Sequence, residues 1–124
     1  MNLIYHTEQQ MLPYSQFASQ QEFEDQIQRW CITQEKEFTR REWICFHQLL
    51  QSSKKVPGVC YKKINLFLVE IEEEQQENIS RDTFKRMIRK AKRLGLLTVY
   101  KTVRENGSQT SNLYVFNSLG GASK

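Results

Sequence analysis

The chain has 124 residues, 39% of them hydrophobic and 11% aromatic, and 18 Lys plus Arg against 14 Asp plus Glu give a formal net charge of +4. That is the size of one ordinary domain, and no segment approaches the roughly 18 apolar residues of a membrane span, so multidomain and transmembrane readings are set aside. The charge is unevenly placed: residues 1–37 carry net −4, residues 38–79 net 0 and residues 80–124 net +8, so a mild total hides a strongly basic C-terminal third.

The start, Met1 to His6, lacks the basic segment and long apolar core of a secretory signal. Cysteines at 31, 45 and 60 cannot all pair with one another, and a reducing, cytoplasmic compartment is the expectation. Residues 1–18 have no clean hydrophobic period; they are Gln-rich with Pro13, and a flexible N-terminal arm is expected. Ser19-Gln20-Gln21-Glu22 then has the form in which a serine hydroxyl and a glutamate carboxylate satisfy free backbone donors at a helix start. A first helix is predicted over about 20–36, its stripe Phe23, Ile27, Trp30 and Cys31 recurring at i, i+4, i+7 and i+8.

Thr39-Arg40-Arg41-Glu42 repeats the capping pattern, and Phe38 and Trp43 are spaced for the accompanying hydrophobic staple. A second helix is predicted over about 40–52 with Trp43, Phe46, His47 and Leu50 on one face, His47 being read as partly buried; Pro57-Gly58 follows. A third, over about 62–75, carries Ile64, Phe67, Leu68 and Ile71 and runs into Glu72-Glu73-Glu74. The fourth is the most strongly signalled: Ser80 is a good cap, Ile79 and Phe84 form a staple pair, and Gly95 stands where a left-handed residue stops a helix after Leu94. Two alternating runs, 97–103 and 112–116, flank the turn dipeptide Asn106-Gly107 and predict a β-hairpin.

The chemistry concentrates on the fourth helix. At about 100° per residue with Phe84 as zero, Met87, Ile88, Ala91 and Leu94 lie within an arc of about 120° around it, and the opposite arc holds Asp82, Lys85, Arg86, Arg89 and Arg93. A solvated face ordinarily mixes signs; this one gathers cations, and the following hairpin adds Lys101 and Arg104. Helix, helix and basic hairpin in this order match a winged helix-turn-helix, whose recognition helix enters the major groove of duplex DNA while the wing touches the backbone. Arg86 and Arg89 are the first candidates for base contact, since arginine reads guanine edges with two parallel hydrogen bonds. Lys85, Arg93 and Arg81 are assigned mainly to phosphates, with Lys101 and Arg104 doing so from the wing, and Lys90 is counted among the DNA-binding residues. Asp82 and Thr83, at the helix start, contact bases or set the positions of neighbouring arginines.

The stretch Gly58-Val59-Cys60-Tyr61, Ile64, Phe67-Leu68 and then Ser80-Arg81-Asp82-Thr83-Phe84-Lys85-Arg86 through Leu94-Gly95-Leu96-Leu97 resembles the winged helix-turn-helix domains of bacterial and phage regulators and plasmid replication proteins. Gly107 to Tyr114 resembles the return strand of such wings, and the similarity covers about residues 38–117. It implies a mainly α fold with a small β-hairpin, a winged helix-turn-helix with an extra N-terminal helix, and a role in transcription regulation, replication or partition. The sequence departs from the family where Glu72 to Asn78 separates the two helices by more than the usual short turn. The expected units are a flexible arm at 1–18, an N-terminal helix at 19–37, the DNA-binding domain at 38–117 and a flexible tail at 118–124.

The remaining chemistry is sparse. The two histidines and three cysteines have no metal-ligand spacing, the acidic run from Glu70 to Glu77 lacks the ligand alternation of a calcium loop, and Gly120-Gly121 follows no strand-loop-helix pattern. No catalytic residue, metal or cofactor is expected. Phe23, Ile27, Trp30 and Cys31 either pack within the chain or meet the same stripe in a second copy; a homodimer is the preferred reading because it places two recognition helices on a two-fold site. The rival from another class is a protein-interaction scaffold whose contact surface is the acidic, aromatic-striped N-terminal region.

Overall fold

The computed structural model describes residues 8–101 and 111–118, and among them helices precede and surround a small antiparallel sheet. In chain order these are α1 (Glu8–Met11), a 3-10 turn at Leu12–Tyr14, α2 (Gln20–Thr33), a 3-10 turn at Glu35–Glu37, and α3 (Arg40–Ser52). They continue with β1 (Val59–Lys62), α4 (Ile64–Gln75), α5 (Arg81–Arg93), β2 (Leu97–Tyr100) and β3 (Asn112–Phe116).

The helix starts follow from local chemistry. Ser19 Oγ accepts from the Glu22 N–H at 3.1 Å, and at α3 the capping box is complete: the Glu42 N–H donates to Thr39 Oγ1 at 3.2 Å and the Thr39 N–H donates to Glu42 Oε1 at 2.9 Å. Phe38 packs on Trp43 with ring centroids 4.8 Å apart, the staple expected from their spacing. At α5, Ser80 Oγ accepts from the Thr83 N–H at 3.1 Å. Its other end is a Schellman motif: Gly95 has φ +81, its N–H donates to the Lys92 carbonyl, and the Leu96 N–H reaches the Ala91 carbonyl, both at 3.0 Å. The first helix ends at Thr33, earlier than its pattern suggested, and the 3-10 turn takes up the rest.

β1 was not foreseen. Its residues Val59, Cys60, Tyr61 and Lys62 pair antiparallel with Val115, Tyr114, Leu113 and Asn112, and β2 pairs with the other edge of β3, for a strand order of β1-β3-β2. Lys62 therefore belongs to a strand and the third predicted helix starts at Ile64. A four-residue strand whose partner lies about fifty positions away leaves no local period to read. The long connection between the α4 and α5 patterns resolves into a helix that runs to Gln75, a left-handed cap at Gln76 with φ 58, and a turn in which Ile79 is buried.

The arm is corrected in its second half. Phe17 is buried and meets Phe23 edge-on at 5.0 Å, Ser15 Oγ donates to the Pro57 carbonyl at 2.6 Å, and Gln16 Nε2 donates to Asn117 Oδ1 at 3.1 Å. Gly58, at φ +79, lets this happen: a Cβ there would sit 2.7 Å from the Phe17 ring. Residues 1–7 and 119–124, expected to belong to an arm and a tail, lie outside the described residues, as does the turn at Asn106-Gly107.

The core joins α2, α3, α4, α5 and the sheet through Phe23, Ile27, Trp30, Phe46, Phe67, Phe84, Met87, Tyr114 and Phe116, all buried. A smaller cluster of Val56, Val59, Leu113 and Val115 lies under Met11 and Tyr14. Among the described residues no helix is long and apolar enough to cross a membrane.

Candidate nucleic-acid interface

α5 packs on α3, α4 and β2 through Phe84, Met87, Ile88 and Ala91, all buried, as its apolar arc predicts. Its outer face exposes Arg81, Asp82, Lys85, Arg86, Arg89, Lys92 and Arg93. Six of these seven side chains are cations, and Asp82 is the lone acid.

Neighbouring elements extend the face on one side. A cleft of about 470 Å³ is walled by Lys62 of β1, Lys63 and Asn65 at the start of α4, Arg81 and Lys85 on α5, and Lys101 and Asn112 where the connection between β2 and β3 leaves and returns. A second hollow, of about 260 Å³, shares Lys85, Lys101 and Asn112 and adds Arg89 and Lys92. Together they form a basic trough between α5 and the hairpin. The Arg81 guanidinium donates to Asn65 Oδ1, so α4 orients it. Lys62 is committed elsewhere: its ammonium lies 2.9 Å from both Glu70 carboxylate oxygens and from Ser52 Oγ.

Two expected DNA contacts are corrected. Thr83 is buried, its hydroxyl 2.9 Å from Ser80 Oγ, and it serves the helix start. Lys90 turns inward, where its ammonium donates to Glu42 Oε1 at 2.7 Å with the side chain only 23% exposed. Glu42 is fully buried at 0% exposure. Burial raises its pKa, but the Lys90 hydrogen bond, the Thr39 N–H, and the charges of Lys90 and Arg86 outweigh that, and the carboxyl ionises below its ordinary value. Among the described residues Glu42 Oε2 has no hydrogen-bond partner, and Arg86 Nη1 stands 3.9 Å from it on a side chain that is 49% exposed. Arg86 thus sits at the α3 flank of the exposed face, and Arg89 nearer its middle.

No family model, curated protein or solved structure matches this chain.

Of the other sequence candidates, Lys85, Arg89, Arg93 and Arg81 are on the exposed face, Lys101 is exposed beside the trough, and Arg104 lies outside the described residues. Lys63, Asn65 and Lys92 were missed; Lys63 and Lys92 were legible only as unassigned bases, and Asn65 carried no charge signal. The role of Glu42 was half legible, since its capping function follows from sequence while its pairing with Lys90 spans 48 positions.

The stripe assigned to dimerisation is internal. Phe23, Ile27 and Trp30 are buried in the chain's own core, Trp30 stacking on Phe46 at 5.6 Å, and Cys31 is half-buried beside them. The acidic first third thus supplies core aromatics that the sheet and α3 cover. His47 is exposed, at variance with its expected burial, because Cys45, Phe46 and Leu49 form the inner face of α3. All three cysteines are free; burial pushes the Cys45 and Cys60 thiols up to about 12 and the Cys31 thiol to about 11.

Proposed function

We propose that the protein binds duplex DNA as a winged helix-turn-helix, with α5 in the major groove and the β2-β3 hairpin on the backbone. The observation that carries this reading is the single-signed face of α5 and its continuation into a trough whose cations come from three separate elements. Fixed cations gathered in this way repel one another unless an ordered anion lies against them, and phosphates spaced along a duplex are such an anion. The order α3-β1-α4-α5-β2-β3, with β3 central in the sheet, supports the winged helix reading. α5 has 13 residues, about 20 Å of helix at 1.5 Å per residue, and a helix about 10–12 Å across matches a groove about 12 Å wide.

In this reading Arg89 is the leading base contact. Arg81, Lys85, Lys63, Lys92 and Lys101 hold phosphates along the trough, Arg93 does so at the helix end, and Lys90 stabilises the fold. The protein acts by occupancy, without catalysis, as a cytoplasmic regulator of transcription or a replication or partition factor of a bacterium or its mobile elements. Duplexes selected from a random library test this: an enriched motif whose binding weakens steeply with salt is the expected result. Binding that neither enriches a sequence nor responds to salt refutes it.

A second reading, protein contact, is favoured by one observation. Ile32 on α2 is 67% exposed, and Cys31, Glu35, Trp43, Phe46, His47 and Leu50 line a shallow, mainly apolar groove. A homodimer on a two-fold DNA site would use this surface, since the α2 stripe is occupied. An inverted repeat among the selected duplexes is the outcome that supports it.

A further inference from the structure

Arg86 differs from every other cation on the outer face of α5 in having a buried carboxylate oxygen behind it. Glu42 Oε1 is saturated by the Thr39 N–H at 2.9 Å and the Lys90 ammonium at 2.7 Å. Glu42 Oε2 is buried, accepts no hydrogen bond from the described residues, and has Arg86 Nη1 at 3.9 Å. That separation is too long for a hydrogen bond; the Arg86 side chain is 49% exposed, so water weakens the pull, but Oε2 is buried and an attraction between full charges remains. The guanidinium is drawn toward the α3 side, where reaching outward means leaving Oε2 without it.

We propose that Glu42 is a specificity-determining residue for DNA: its buried carboxylate restrains Arg86, so that Arg86 engages only a duplex offering a paired acceptor site. The proposal rests on the DNA-binding reading and assigns its regulation to a residue on α3 that touches no DNA. A lone phosphate offers Arg86 one more anion in place of the one it leaves, and in high-dielectric surroundings that exchange gains little. A guanine edge offers O6 and N7 together in the geometry of the guanidinium fork, and compensates for the loss. The arrangement lowers affinity for arbitrary sequence and widens the gap to the preferred one.

Glu42→Gln is the discriminating variant. Its amide oxygen retains both contacts of Oε1 and the cap geometry, because glutamine serves equally at this position of a capping box. The negative charge is lost toward both Arg86 and Lys90, the latter keeping its hydrogen bond to the amide oxygen, and the Arg86→Ala background separates the two effects. The probes are a mixed-sequence duplex of about 20 base pairs and the duplex enriched by selection, each titrated by fluorescence anisotropy across a salt series. For Glu42→Gln the mixed-sequence duplex is expected to bind more tightly, with a log-log salt slope steeper by about 0.9, the signature of one additional phosphate contact. Between 50 and 200 mM salt that extra slope is about a threefold additional loss of affinity. The ratio of selected to mixed affinity falls.

The cycle is completed with Arg86→Ala, an exposed substitution that keeps the fold, and with the double variant. In the Arg86→Ala background, Glu42→Gln is expected to leave the salt slope unchanged. A merely structural Glu42 predicts the opposite sign, weaker binding to both duplexes, and that result overturns the proposal. So does a steepened slope that persists without Arg86, which marks a general charge effect. If the wild type binds neither duplex in a salt-dependent way, the DNA reading itself fails and takes the proposal with it; salt-dependent wild-type binding with an unaltered ratio in Glu42→Gln overturns the proposal alone.

Discussion

Arg89 and Lys90 are adjacent in sequence and carry the same charge, yet their replacement by alanine should have opposite consequences. Lys90→Ala removes the ammonium 2.7 Å from Glu42 Oε1 and leaves a fully buried carboxylate with the Thr39 N–H on one oxygen and Arg86 3.9 Å from the other. Removing one partner of a buried pair costs about 3–5 kcal/mol. The Lys90 side chain is 23% exposed and Arg86 still neutralises part of the charge, so a loss of about 2–3 kcal/mol is expected, still within the range for an uncompensated buried acceptor. Arg89→Ala touches an exposed side chain, and its unfolding free energy should stay within about 0.5 kcal/mol of the wild type. Loss of a bidentate base contact, at about 1–3 kcal/mol, instead weakens binding to the selected duplex by about 5- to 150-fold. Urea unfolding and anisotropy on the same samples at one salt concentration measure both. Wild-type stability for Lys90→Ala refutes the inward pairing that positions α5 on α3, and unchanged affinity for Arg89→Ala refutes the assignment of α5 to the DNA.

Other outcomes follow from the same geometry. Glu42 ionises below its ordinary value in the folded chain, so its contribution to stability is complete above the unfolded glutamate pKa of about 4.3 and is lost as pH falls through the depressed folded value. Glu42→Gln should therefore show a shallower acid limb in a pH series of urea midpoints, and an identical limb counts against the charged pair. Ile27→Ala, deep in the α2 stripe, is expected to lower stability by about 2–5 kcal/mol, with the folded variant sedimenting as the wild type does; a change of association state would restore the stripe to an intermolecular role. Gly58→Ala combines a left-handed φ of +79 with a Cβ 2.7 Å from the Phe17 ring, which together should cost about 2–4 kcal/mol. Phe17→Leu in the same chain should relieve part of that cost, and strict additivity in thermal unfolding would show that the ring is not what the Cβ meets.

The elements that were legible are those whose causes lie within one helical turn. Ser19, Thr39 and Ser80 announce helix starts because each hydroxyl meets an N–H three residues on, and Gly95 announces a stop because it alone takes the left-handed backbone without strain. The division of α5 into an apolar and a basic arc is likewise a property of 3.6 residues per turn, and the exposure of Lys85, Arg86, Arg89 and Arg93 follows from it. What periodicity does not contain is the identity of the neighbour on each face. Trp30 finding Phe46 in its own chain, Phe17 finding the bare backbone of Gly58, and β1 finding β3 are contacts between residues far apart in sequence. Their selection depends on burying the most apolar area at once. The sharpest case is the basic helix itself. Sequence determined that its outer arc is cationic, whereas tertiary packing placed one buried carboxylate behind it, and by charge neutralisation across 48 positions withdrew Lys90 from that arc and set Arg86 apart from the other cations on the face.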